Sequence, residues 1–151
     1  LNQPFSVFPY LCLISGPQVI ADHTANPAFV AADLLSQAEH GVDSQVVLVA
    51  VNLTPEKIAS IEREVDVQAR ALSRVEIVKQ SIPKSLIVMA PSVDEAFKFS
   101  NDYSPEHLIL HIDNPSAHVG LVNNAGSVFV GPFTPERYDY SDVVPILSHL
   151  S

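Results

Sequence analysis

Among 151 residues the chain has one cysteine, no tryptophan and five glycines. Cys12 alone cannot build an internal disulfide framework or a four-cysteine zinc site. That scarcity points to a reducing compartment, with a cytoplasmic setting as the expectation. Basic residues are few: eight Lys plus Arg stand against 17 Asp plus Glu, a net charge of −9. Eight scattered cations do not make the clustered positive face that duplex nucleic acid needs. No apolar run approaches the length of a membrane span. Neither the G-x-G-x-x-G fingerprint nor a Walker A sequence is present, so no phosphate-binding turn is legible.

What remains is a globular composition. Apolar residues make up 47% and charged residues 17%, with a mean hydropathy of +0.21. A chain of this length forms one domain and buries about 68–70% of its unfolded surface. Leu1 to Ile14 (LNQPFSVFPYLCLI) stands apart, apolar and aromatic, with Pro4 and Pro9. It lacks a basic n-region and a small-residue cleavage site, which argues against a signal peptide. We read 1–15 as an atypical apolar leader, 16–141 as the folded domain and 142–151 as a divergent tail.

From Ser15 the pattern is regular. Gln18–Ala21 reads as a short strand. Asn26-Pro27 reads as a cap followed by proline at the first helical position, with Gly41 as the stop. Gln45–Val51 (QVVLVAV) is β-branched and apolar throughout, as in a strand covered on both faces. Thr54-Pro55-Glu56 opens a second helix, and Pro83 closes that helical region. Ser85–Ala90 is a third strand. Ser92 with Glu95 forms a capping box for a helix through Phe99. Leu108–Ile112 is a fourth strand. Asn114-Pro115 repeats the cap-plus-proline start, and Ser127–Val130 is a fifth strand. Alternating strands and helices predict an α/β fold: a Rossmann-like three-layer sheet of mostly parallel strands. In such sheets ligands bind beyond the carboxyl ends of the strands, so the loops after each strand are where chemistry is expected.

Three segments carry candidate chemistry. Asp33, Gln37 and His40 share one helical face and offer metal donors. Spacing alone favours a plainer role, a solvated polar face, because glutamine is an unusual zinc ligand. Glu106-His107 pairs a carboxylate with an imidazole, two groups able to move protons near neutral pH. Its plain alternative is a polar loop before an edge strand. Asp139, in the acidic, aromatic run Pro135–Tyr140, is a candidate carboxylate ligand or a surface turn. His23, His111, His118 and His149 show no spacing that suggests a site, and His111 is expected to alternate outward.

Taken together these segments resemble one family. Phe29 to Gly41 (FVAADLLSQAEHG), Asn101 with Pro105-Glu106-His107-Leu108, and Asn124 to Gly131 (NAGSVFVG) with Thr134-Pro135-Glu136 resemble histidinol dehydrogenase in order and spacing. The resemblance runs from Gly16 to Tyr140. It implies a homodimeric enzyme of histidine biosynthesis that oxidises L-histidinol to histidinaldehyde and then to L-histidine with two NAD. One zinc per site holds the substrate's imidazole and amino nitrogens. Gln37, His40 and Asp139 match zinc ligands, and with His107 they would bind substrate. His107 matches the base that takes the alcohol proton. Glu106 matches the group that activates water for the aldehyde step. No NAD-binding residue is assigned.

The departures matter too. Gly16-Pro17-Gln18 stands where the family has Pro-Ser-Glu and a longer strand. The family's glycine before the Asp-Tyr pair is absent, since Tyr138 precedes Asp139, which makes the loop one residue shorter. Asp142–Ser151 lacks the family's later histidine and glutamate. The expectation is the middle piece of a longer enzyme, inactive alone, or else an α/β interaction module that has kept the fold without the chemistry.

Overall fold

The computed structural model describes residues 16–131 and the backbone of 143–144. Six strands form one sheet in the order β3-β2-β1-β4-β5-β6. They are β1 (Gln18–Ala21), β2 (Val47–Val51), β3 (Leu86–Ala90), β4 (His107–His111), β5 (Ser127–Val130) and β6 (Val143–Val144). The first five run parallel, and β6 pairs antiparallel with β5. Helices α1 (Pro27–Ala38), α2 (Pro55–Ala69), α3 (Val75–Ser81) and α4 (Val93–Tyr103) join them, with 3-10 turns at Ile82–Lys84 and Pro115–Leu121. The α/β expectation therefore holds, and β1 and β4 lie side by side at its centre.

Strand alternation divides the core into two layers. Val19, Ala21, Leu48, Ala50 and Ile109 face α1 and α2, meeting Val30, Leu34, Ala38 and Ile61. Ile20, Val47, Val49, Leu108, Leu110 and Val128 face the other way, onto Ala96, Phe97 and Tyr103 of α4. Every residue of β2 is buried, as its unbroken apolar run predicts. The edge strand β3 differs: Leu86 and Met89 are about half exposed, at 46% and 50%.

Local signals set most helix starts. Asn26 accepts from the Ala28 N–H at 2.9 Å, and Thr54 from Lys57 at 3.3 Å. Ser92 accepts from Glu95 at 3.2 Å. Other expectations fail. Asn114 precedes proline as Asn26 does, yet it sits at φ 44° and makes no capping bond. The short helix that Pro115 opens is present over Pro115–Leu121 in 3-10 form, and the left-handed Asn114 does not present its side chain to the next N–H groups. Gly41 does not stop α1, which ends at Ala38 with Glu39 in right-handed geometry. The helical region before Pro83 breaks into α2, α3 and a 3-10 turn, and α4 runs on to Tyr103.

One core position is at odds with its surroundings. Gln18 is fully buried at the start of β1, and neither amide atom has a partner among the described residues. It falls where the sequence departs from the family pattern.

Candidate functional site

At the carboxyl edge of the sheet, where ligands were expected, the loops after β1 and β2 satisfy their own polar groups. Asp22 follows β1 and accepts from Thr24 N–H at 2.8 Å, Thr24 Oγ1 at 2.6 Å and Asp113 N–H at 2.8 Å. Burial pushes its carboxyl up, but the bonds from Thr24 and Asp113 outweigh that and hold it below the ordinary range. Asn52 follows β2 and donates to Pro91 O at 2.8 Å. An ionised, self-satisfied carboxylate in the β1–α1 turn repels a phosphate, and that turn contains no glycine. This turn does not fit a dinucleotide.

The candidate residues instead meet at the amino edge. Helix α1 runs back over β4, so its last turn lies above the strand's first residue. There Gln37 Nε2 contacts His107 Nδ1 at 3.3 Å, across 70 residues of sequence. Phe129 packs edge-on against the imidazole, with ring centres 5.8 Å apart. Gln37 and His107 are half-buried, while Glu106 and His40 are exposed. The amide can serve His107 in two ways related by a half-turn. If Nε2–H donates to Nδ1, the ring proton sits on Nε2. If Oε1 accepts from Nδ1–H, Nε2 keeps a free lone pair and can act as a base. The segment that carries Glu106 leads into the sheet's centre and not into an edge strand, which removes the plain loop-and-edge alternative.

The motif residues Asn101, Asn124 and Gly126 hold this corner together. Asn101 Oδ1 accepts from the N–H groups of Asn123 and Asn124 at 2.7 and 3.2 Å, and its Nδ2 donates to Leu121 O at 2.9 Å. Asn124 returns a bond from Nδ2 to Asn101 O at 3.0 Å. The connection into β5 is thus clamped to α4. Gly126 N–H then bonds Pro105 O, and Ser127 N–H bonds Glu106 O, at 3.0 and 2.9 Å. These bonds fix the backbone that presents Glu106 and His107.

The sequence pattern alone misplaced His111. It does not face outward. It is buried, and its Nε2 lies 2.6 Å from Asp33 Oδ2. Two signals pointed there: His111 shares the strand period of His107, and Asp33 lies one helical turn before Gln37. Asp33 is therefore not a metal donor on an open face. Asp139 lies outside the described residues. Gln37 Oε1 and the His40 imidazole suit zinc as an oxygen and a nitrogen donor, and they supply half of a four-ligand shell. Among the described residues no group of three or more His, Cys, Asp or Glu is placed to hold a metal.

This architecture defines a class: a Rossmann-like α/β domain whose acid–imidazole pair sits at the amino edge of a parallel sheet. Comparison with known proteins narrows it. The histidinol dehydrogenase family profile matches residues 14–143, slightly beyond the Gly16–Tyr140 span of the sequence resemblance. The chain is 59% identical over 124 residues to the histidine biosynthesis trifunctional protein of Neurospora crassa, covering 82% of this chain and 14% of that protein. It is 52% identical over 126 residues to histidinol dehydrogenase of Schizosaccharomyces pombe, covering 82% and 29%. The crystal structure of histidinol dehydrogenase from Elizabethkingia anophelis superposes with a TM-score of 0.76 at 43% identity, over 86% of this chain and 29% of that one. The chain belongs to the histidinol dehydrogenase family. It spans less than a third of the length of these relatives.

Proposed function

We propose that this chain carries the catalytic pair and part of the zinc site of an enzyme that oxidises L-histidinol to L-histidine in two NAD-linked steps. Residues 16–141 are the unit that bears the site. The observation that supports this most is the Gln37–His107 contact. Two segments chosen for chemistry meet in space although the sequence holds them 70 residues apart.

His107 takes the alcohol proton as hydride leaves the carbinol carbon for NAD. Gln37 contacts His107 at Nδ1 and orients the ring for that step. Glu106, exposed beside it, takes a proton from the water that adds to the aldehyde. Loss of a second hydride from the hydrate then gives the carboxylate. Gln37 and His40 hold zinc, with Asp139 as a further ligand. Zinc held by these residues would supply a Lewis acid for the nitrogen donors of the substrate. The β1–α1 turn does not hold NAD, and no step is assigned to it. With two or three of four ligands present, zinc binds weakly to the chain alone, and histidinol is not turned over. The working enzyme is a homodimer with a site shared between subunits, in a cytoplasmic setting.

Calorimetric titration of Zn²⁺ into the purified chain tests this. Weak binding that Gln37→Ala and His40→Ala each abolish supports the reading. Binding that both variants leave intact overturns it. No binding at all favours a non-catalytic module. NADH formation from histidinol by the isolated chain refutes its predicted inactivity.

A further inference from the structure

We infer that Asp33 and His111 are positioning residues: their buried bond sets the rotation of α1 so that Gln37 meets His107. The inference rests on the proposed function, because it concerns the same site. Asp33 and Gln37 are one turn apart on α1. His107 and His111 are the two ends of one face of β4. The helix therefore touches the strand through two polar rungs, Asp33 Oδ2 to His111 Nε2 at 2.6 Å and Gln37 Nε2 to His107 Nδ1 at 3.3 Å. The side chains of the first rung are each only 1% exposed. The second is half-buried and open to a ligand.

Apolar packing is non-directional, and a polar bond adds the direction it lacks. The buried stripe of α1 is Val30, Ala31, Leu34, Leu35 and Ala38, and two of these five carry only a methyl group. Val30, Leu34 and Leu35 seat the helix on the sheet, and each residue of slip would rotate it by about 100°. That rotation carries Gln37 off the His107 ring. A short hydrogen bond between two buried groups has one geometry and removes the freedom. With Asp33 ionised, His111 donates from Nε2. The second carboxylate oxygen, Oδ1, is buried with no partner among the described residues. A carboxylate retained under that penalty is consistent with a directional role. Neither residue reaches the reacting atoms; both act through Gln37.

The test is nuclear magnetic resonance of the full 151-residue chain. In the wild type, nuclear Overhauser contacts link the Gln37 side-chain amide to the His107 ring, and ¹⁵N shifts report the ring's tautomer. Asp33→Leu is expected to abolish those contacts and change the His107 tautomer balance, while the backbone shifts of β1 and β2 stay in place. Asp33→Asn and His111→Gln, which keep a hydrogen bond, are expected to retain them. Should Asp33→Leu not fold, His111→Phe removes the same bond from the strand side and is read in the same way. Retention of the Gln37–His107 contacts in the apolar variants overturns the inference and leaves the proposed function standing. Unfolding of both apolar variants also overturns it, in favour of a purely structural bond. Absence of the contacts from the wild type overturns both.

Discussion

Replacing Gly126 with alanine tests the corner that presents Glu106 and His107. A Cβ added at Gly126 would lie 2.6 Å from Glu106 O and 3.4 Å from Glu106 C. Ordinary contact begins at 3.4 Å, so the oxygen or the strand must yield by about 0.8 Å. The carbonyl cannot turn away freely, because it accepts the Ser127 N–H at 2.9 Å. Forcing the strands apart costs about 1–3 kcal/mol. Losing that backbone bond adds about 1 kcal/mol. Gly126→Ala should therefore destabilise the chain by about 2–4 kcal/mol, read as a fall in the urea midpoint at constant slope. Gly120→Ala is the control: nothing lies within 4 Å of its added Cβ, and the change should stay within about 0.5 kcal/mol. If Gly126→Ala also costs under about 0.5 kcal/mol, the close approach of β5's entry to Glu106 is refuted.

Other changes probe the fold and its charges. Gln18→Leu should stabilise the chain by about 1–3 kcal/mol in denaturant titration, because it removes a buried amide with no partner among the described residues. Phe97→Ala should cost about 3–5 kcal/mol, since the ring is 2% exposed under the centre of the sheet. Asp22 has a folded pKa below its ordinary 3.8. It therefore stabilises the fold above that value, and the benefit is lost as pH falls through the lower folded value. Asp22→Asn should accordingly show a stability deficit at neutral pH that closes below about pH 3.8. Asn101→Ala should speed hydrogen exchange at the Asn123 and Asn124 amides, which lose their acceptor.

Local chemistry was the legible part of this sequence. Asn26, Thr54 and Ser92 announce their helices because a cap depends only on residues two or three positions away. Asn114 shows the limit. The same Asn-Pro pair takes a left-handed turn there, set by the exit from β4 and not by the dipeptide. The strand content and the parallel sheet followed from apolar runs and alternation. The location of the proposed site did not. The general rule for open α/β sheets points to the carboxyl edge, but α1 runs antiparallel to β4 and returns its last turn, with Gln37, to the amino edge. His111 was misread because the face of a central strand depends on the helix that covers it, and Asp33 supplies that cover from 78 residues away. The resemblance marked Gln37, His40, Glu106 and His107 as candidates, and spacing alone would have left them as polar surface.

The chemistry proposed for this chain sits where α1 ends and β4 begins. The sharpest test of that placement maps the amide and imidazole shifts of the ¹⁵N-labelled chain as Zn²⁺ and L-histidinol are added together. The largest changes should fall on Gln37, His40, Glu106 and His107. Changes centred on Asp22, Asn52 and Asp113 at the opposite edge, or no change at millimolar ligand, would contradict it.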